Sequence, residues 1–241
     1  MDILYLTDVH GNAESYIVSL AIAVKKDINH IIFGGDIAPN FLDSLQNYRK
    51  QQALFTKDIL IKIFRKFRKL NPEKNIYIMP GNDDVKELTN ILNNAEKKGI
   101  LKQLHNKTHK LGDYSIAGYS FVNPTPFFLK DWEKSESEIK KELENIASSD
   151  IVAFHAPPFA TNLDVLHSGE HVGSIAVRRF IEKRQPLLTL HGHIHESPQI
   201  SGSIKDRIGK TVCVNPGSSG SELNAALINL KKMDVKLIKA G

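Results

Sequence analysis

Short apolar runs, none longer than a strand, alternate with helix-length amphipathic stretches along most of this chain, and few architectures accommodate that rhythm. "DILYLT" (2–7) leads to a helix expected near 13–26, and "HIIFGG" (30–35) leads to a long basic helix. "NIYIMPG" (75–81) leads to a helix near 85–98. "DIVAFHAPP" (150–158) is followed by a polar loop, a helix near 173–184, and then "PLLTLHG" (186–192). Strand alternating with helix predicts an α/β protein with a covered, largely parallel sheet. Residues 107–122, "KTHKLGDYSIAGYSFV", read differently, because a Gly-Asp turn between two β-like runs predicts a hairpin. The last forty residues read mostly as strand and turn.

At 241 residues, 41% of them hydrophobic, the chain can bury a sizeable core, and a single domain over 1–241 is expected. No leader is legible, and no run approaches the roughly 18 apolar residues that span a bilayer. The single Cys213 excludes a disulfide framework and points to a cytoplasmic setting. Net charge is +5, and many of the cations fall in 49–69, "RKQQALFTKDILIKIFRKFRK". Leu60, Ile63, Phe64 and Phe67 sit there at i, i+3, i+4 and i+7, so that segment predicts an inward apolar stripe and a solvated basic face. A nucleic-acid-binding face is the alternative, but no aromatic platform is interleaved with the charges.

Polar residues able to hold a metal gather where the strands run out. Asp8 and His10 follow the first run, Asp36 the second, and Asn82 with Asp83 the third. His155 follows the fourth, and His193 and His195 follow the fifth. Open α/β sheets build their sites outside the carboxyl ends of strands, so these groups are expected to meet in one crevice. Carboxylate, imidazole and one amide oxygen suit manganese, iron, zinc, cobalt or nickel better than calcium. Seven donors are too many for one ion and suit two ions sharing a carboxylate. His191 alternates with His193 and His195 in "LLTLHGHIHES", and side chains at i and i+2 of an extended segment point to the same side.

The ordered blocks D-x-H-G, G-G-D, G-N-D, "FHAPP" and G-H-x-H, together with "VNPGS" (214–218), resemble the calcineurin-like metallophosphoesterases. That resemblance implies two facing mixed β-sheets flanked by helices, a four-layer α/β/β/α sandwich. It implies Asp8, His10 and His195 on one divalent ion, Asn82, His155 and His193 on a second, and Asp36 between them. Manganese is the favoured metal. The implied reaction is hydrolysis of a small phosphoester, foremost a phosphodiester, by a hydroxide held between the ions. Alternatives are a nuclease of the same fold and a non-catalytic scaffold, although a scaffold is expected to show a broken ligand set.

The sequence departs from the family at "GNDD", where many members carry a histidine in the position of Asp83 that serves the leaving oxygen. No arginine follows this block, which argues against a protein phosphatase. Asp83 is therefore a weak candidate acid, and His167 and His171, in the loop "ATNLDVLHSGEHV", are candidate replacements. Asn215 or Ser218 is expected to support the crevice from behind.

Overall fold

The computed structural model describes residues 1–40, 44–219 and 222–240. Two six-stranded sheets lie face to face, each backed by helices. In the first, β1 (Asp2–Leu6), β2 (His30–Phe33), β3 (Asn75–Ile78) and β4 (Lys102–Gln103) run parallel. In the second, β5 (Thr108–Leu111) and β6 (Tyr114–Tyr119) form the expected hairpin. Gly112 takes φ +61° in its turn, a conformation glycine adopts without steric cost. Beyond the hairpin, β7 (Ile151–Phe154), β8 (Leu188–Leu190) and β10 (Thr211–Val214) continue parallel to β6. β9 (Lys205–Ile208) closes that edge antiparallel. β11 (Leu223–Asn229) and β12 (Asp234–Ala240) then return to the first sheet as an antiparallel pair beside β1.

Alternation along the strands divides the layers. Ile3 and Tyr5 of β1 point between the sheets, where they meet Ile151, Ala153, Leu188 and Val212 of the second sheet. Leu4 and Leu6 point the other way, toward α1 (Ala13–Lys25), the long second helix and α4 (Leu88–Lys97). On the far face, Val152 and Phe154 pack against α5 (Glu136–Leu143) and α6 (Ile175–Arg184). Strands buried on both faces are apolar almost throughout, which is why they are legible as runs.

The basic helix is α2 (Leu45–Phe55) and α3 (Ile61–Leu70), joined by a π-helical turn over Thr56–Leu60. The wider turn shifts the phase of the stripe. Ile61 is buried beside Phe64 and Phe67, while Ile63 is only half-buried. Lys57, Lys62, Arg65, Lys66 and Lys69 face solvent as expected. β4, α5 and α7 (Ser197–Ser201) are not anticipated from periodicity, since β4 and α7 are very short. α5 did carry a signal in "SESE": Ser135 and Glu138 form a capping box. None of the described helices is long and apolar enough to cross a membrane.

Candidate metal centre

The strands β1, β2, β3, β7 and β8 all release their chains at one end of the sandwich, and the turns there are stitched together. Asp8 N–H donates to Gly35 O at 3.0 Å, His10 N–H to Asp36 O at 2.9 Å, and Gly11 N–H to Ile37 O at 3.1 Å. Asp8, His10, Asp36 and His193 all take left-handed backbone, with φ +54°, +45°, +50° and +68°. Each such residue costs on the order of 1–3 kcal/mol, a strain retained where surrounding contacts over-determine it and often found at functional sites. Gly81 has no side chain for a reason: a Cβ there would strike the Asp36 carboxylate and the His155 ring.

Ligand-type atoms of Asp8, His10, Asp36 and His195 lie within 4.8 Å of one another. His195 Nε2 is 3.3 Å from Asp8 Oδ1 and 3.2 Å from His10 Nε2. A second group adjoins this one. Asn82 Oδ1 lies 2.9 Å from His155 Nε2 and 2.6 Å from His193 Nδ1. Asp36 Oδ2 connects the groups, 3.3 Å from His155 Nε2 and 3.9 Å from His10 Nε2. The seven candidate donors at the strand ends are thus brought together.

The donor chemistry of this cluster calls for a cation. His155 Nδ1 donates to Gly34 O at 3.0 Å, which leaves Nε2 as the lone-pair nitrogen of the neutral ring. That lone pair faces only acceptors: Asn82 Oδ1, Asp36 Oδ2, and Asp8 Oδ1 at 3.9 Å. Either a second proton or a metal ion reconciles them. Asp8 and Asp36 are both essentially buried, and their ion pairs among the described residues are all to histidine. Buried carboxylates without a permanent cation are unstable unless an ion or proton is drawn in.

The pKa directions tell the same story. Burial opposes charge on His155, but Asp36 and Asp8 overcome it and carry its pKa to about 10. At His195 burial is likewise overcome by Asp8 and Asp36, giving about 9. Burial would raise both carboxylates, yet the facing imidazoles hold Asp8 and Asp36 below the usual range. Burial, together with the His155 charge, lowers His193 to about 4. Metal-free, the site compensates its anions with protons; the residues present fit divalent cations in their place.

Asp83 is tied to its neighbours through both carboxylate oxygens and its amide. Its Oδ1 accepts from Asn82 Nδ2 at 2.8 Å and its Oδ2 from Asn40 Nδ2 at 2.6 Å. The first bond fixes the Asn82 amide with its oxygen toward His155 and His193. Asp83 N–H also donates to Asp36 Oδ1 at 2.8 Å. Burial and the Asp36 and Asp84 charges push the Asp83 pKa to about 8, a push that nearby cations would reverse.

Asp84, which sequence reasoning passed over, is fully buried and accepts from the amides of Ile37, Ala38 and Gly81 at 2.8–3.1 Å. The doubled acid of "GNDD" was its signal: one carboxylate orients the Asn82 amide and the next ties the turns after β2 and β3 together. From behind, Asn215 Nδ2 donates to Gly192 O and Ile194 O at 3.3 and 3.1 Å, and Ser218 Oγ to Asp8 O at 2.9 Å. His191 is buried on Phe154, with Nδ1 against Ala156 O and Nε2 against Thr189 Oγ1, so both its nitrogens are engaged away from the candidate donors.

A cleft of roughly 540 Å³ opens over the centre, lined by Asp36, Asn82, Asp83, His171, His193 and His195 among others. His171 Nδ1 lies 2.8 Å from Asp164 Oδ1. Asp164 is buried and also accepts from the amides of Ala160, Thr161 and Gly173. His167 is exposed and outside the cleft lining, because bonds between Leu166, Gly169 and Glu170 close a tight turn that carries it to the tip.

Two facing mixed sheets with carboxylates, imidazoles and an amide gathered at their strand ends define a metallophosphoesterase class of α/β sandwich. The chain belongs to the calcineurin-like phosphoesterase family, whose model matches residues 1–197. It is 32% identical over 163 residues to the uncharacterised protein MJ1162 of Methanocaldococcus jannaschii, spanning 65% of this chain and 70% of that one. The crystal structure of TT1561 of Thermus thermophilus shares the fold at TM-score 0.66 and 18% identity, over 98% of this chain and 97% of that one. An archaeal phosphodiesterase shares it at TM-score 0.50 and 14% identity, over the full length of both chains.

Proposed function

We propose that the protein hydrolyses a phosphodiester at a centre of two divalent ions, manganese first among the candidates and iron, zinc, cobalt or nickel as alternatives. The observation that carries this reading is the lone pair of His155 Nε2, ringed by acceptors of Asn82, Asp36 and Asp8. Asp8, His10 and His195 would hold one ion, Asn82, His155 and His193 the other, and Asp36 both. Bound there, the ions supply Lewis acidity toward phosphoryl oxygens and a lowered pKa for water.

The remaining work falls to the chain. Asp83 and Asp84 hold the ligand loops in register. His171, whose Nδ1–H donates to the buried Asp164 carboxylate, gives the Nε2 proton of its imidazolium form to the departing ester oxygen and is left as the neutral ring. Several features favour a diester over a protein phosphoester: the absence of an arginine after "GNDD", a carboxylate in the usual histidine position, and a fold shared with an archaeal phosphodiesterase.

The test is reconstitution. Metal-stripped protein is loaded with manganese, its metal content counted by elemental analysis, and bis-p-nitrophenyl phosphate compared with p-nitrophenyl phosphate. About two ions per chain and a preference for the diester are expected, with Asp36→Asn losing both turnover and metal. Full metal occupancy and activity in Asp36→Asn would sink the assignment. The nuclease reading gains little from the basic helix, since Arg49 is paired with Glu87 and Asp131 and no cation of this helix is among the described residues lining the cleft.

A further inference from the structure

The cleft over the metal centre has a second half whose chemistry differs from the first. Phe127, Phe159, Leu166 and Ile175 line it, and no lysine or arginine is among its described lining residues, in a chain with 32 of them. The charged side chains that do line it, apart from Asp36 and the histidines, are the carboxylates Asp83, Glu136 and Glu196. Glu136 is fixed there, accepting from Ser174 Oγ and from the amides of Ile175 and Ala176 at 2.6–3.1 Å.

The apolar wall is held open to solvent. Phe127 is 52% exposed and Ile175 41%, and both face this cleft. Phe127 is braced by its N–H on Thr125 Oγ1 at 3.2 Å, while its neighbour Phe128 is drawn aside onto Tyr48 at 5.6 Å between ring centroids. Apolar surface beside a polar anchor is the usual composition of a small-molecule site, and the volume fits one ligand of that size.

We infer that the substrate is a singly charged phosphodiester carrying an uncharged apolar ester group, aryl or alkyl, seated against Phe127 and Ile175. This rests on the two-ion reading above. A polyanion such as a nucleoside triphosphate or a nucleic acid would set its further phosphates against Glu136, Glu196 and Asp83 with no cation to meet them.

The test keeps the leaving group constant. Methyl p-nitrophenyl phosphate and phenyl p-nitrophenyl phosphate are compared on the manganese-loaded protein, with a p-nitrophenyl-terminated thymidylate oligomer as the polyanionic arm. The phenyl diester is expected to exceed the methyl diester in kcat/KM by about tenfold or more, the scale of one apolar contact. In Phe127→Ala and Ile175→Ser that ratio falls toward one. Equal values for the two diesters, an unchanged ratio in both variants, or a preference for the oligomer would each overturn the inference. Equilibrium binding of diphenyl against dimethyl phosphate decides the matter if no diester turns over, an outcome that would defeat the hydrolase reading alone. Tenfold tighter binding of the diphenyl ester, lost in the variants, still supports the apolar subsite; equal or absent binding refutes it.

Discussion

At the scale of single residues, the centre depends on side chains whose free atoms are assigned by what their other atoms touch. His155 is turned by Gly34, Asn82 by Asp83, and His171 by Asp164. Substituting Asp83 by Asn sets one amide against another and loosens the Asn82 oxygen from its place. Metal affinity is expected to fall about 10–100-fold, the range for partners that orient a ligand, as read by calorimetric titration. An alkaline limb in the pH–rate profile that disappeared in this variant, with metal affinity intact, would instead make Asp83 the proton donor. His171→Gln is expected to slow diesters of poor leaving groups more than those of p-nitrophenol, by up to about 10²–10⁴-fold for the poorest. Equal losses across a leaving-group series would exclude proton donation. Seven of the residues in these arrangements were legible as candidates because each sits within a few residues of the end of an apolar run. Asp84 and Asp164 were not, since a buried carboxylate that accepts only backbone amides has the same letter as a solvated one.

At the scale of elements, the useful lesson lies in α5. Periodicity gave no hint of this short helix, yet Ser135 and Glu138 announce its start. Ser135→Ala is expected to cost about 1 kcal/mol, lowering Tm by roughly 2–4 °C in a chain of this size. Because Glu136 of the same turn reaches the start of α6, calorimetry and the phenyl-to-methyl preference should be measured together. The long helix shows the opposite case. Its stripe was legible, but the π turn at Thr56–Leu60 rotated which isoleucine is buried, and only packing against the first sheet decides that.

At the scale of the whole molecule, stability is linked to protons and to metal. His105 packs edge-on against Trp132 at 4.8 Å and accepts from Ser120 N–H through Nδ1 at 3.1 Å. Burial, with the Lys134 and Lys86 charges, lowers its pKa to about 4, against about 6.5 in an unfolded chain. The unfolded state therefore binds more protons between these values, so stability is complete above pH 6.5 and declines as pH falls toward 4. The share due to His105 is about 3 kcal/mol at most. Urea unfolding of the metal-free protein at pH 7 and pH 4.5 should show this decline, and His105→Asn, which keeps an acceptor but cannot titrate, should reduce it. Metal acts in the other sense. Each ion at a hundred times its Kd adds about 2.7 kcal/mol, so chelation is expected to lower Tm sharply, and a Tm unmoved by chelator would contradict a resident metal.

By itself the sequence determined the layered α/β class and the residues that stand at the strand ends, because burial on both faces forces apolar runs and the polar residues shortly after each run gather at a common edge. Tertiary structure alone decided which of those residues meet and how. The pairing of β11 and β12 back onto β1 and the apolar wall of Phe127 and Ile175 are long-range facts. They follow from the packing of distant segments, for which local periodicity carries no signal.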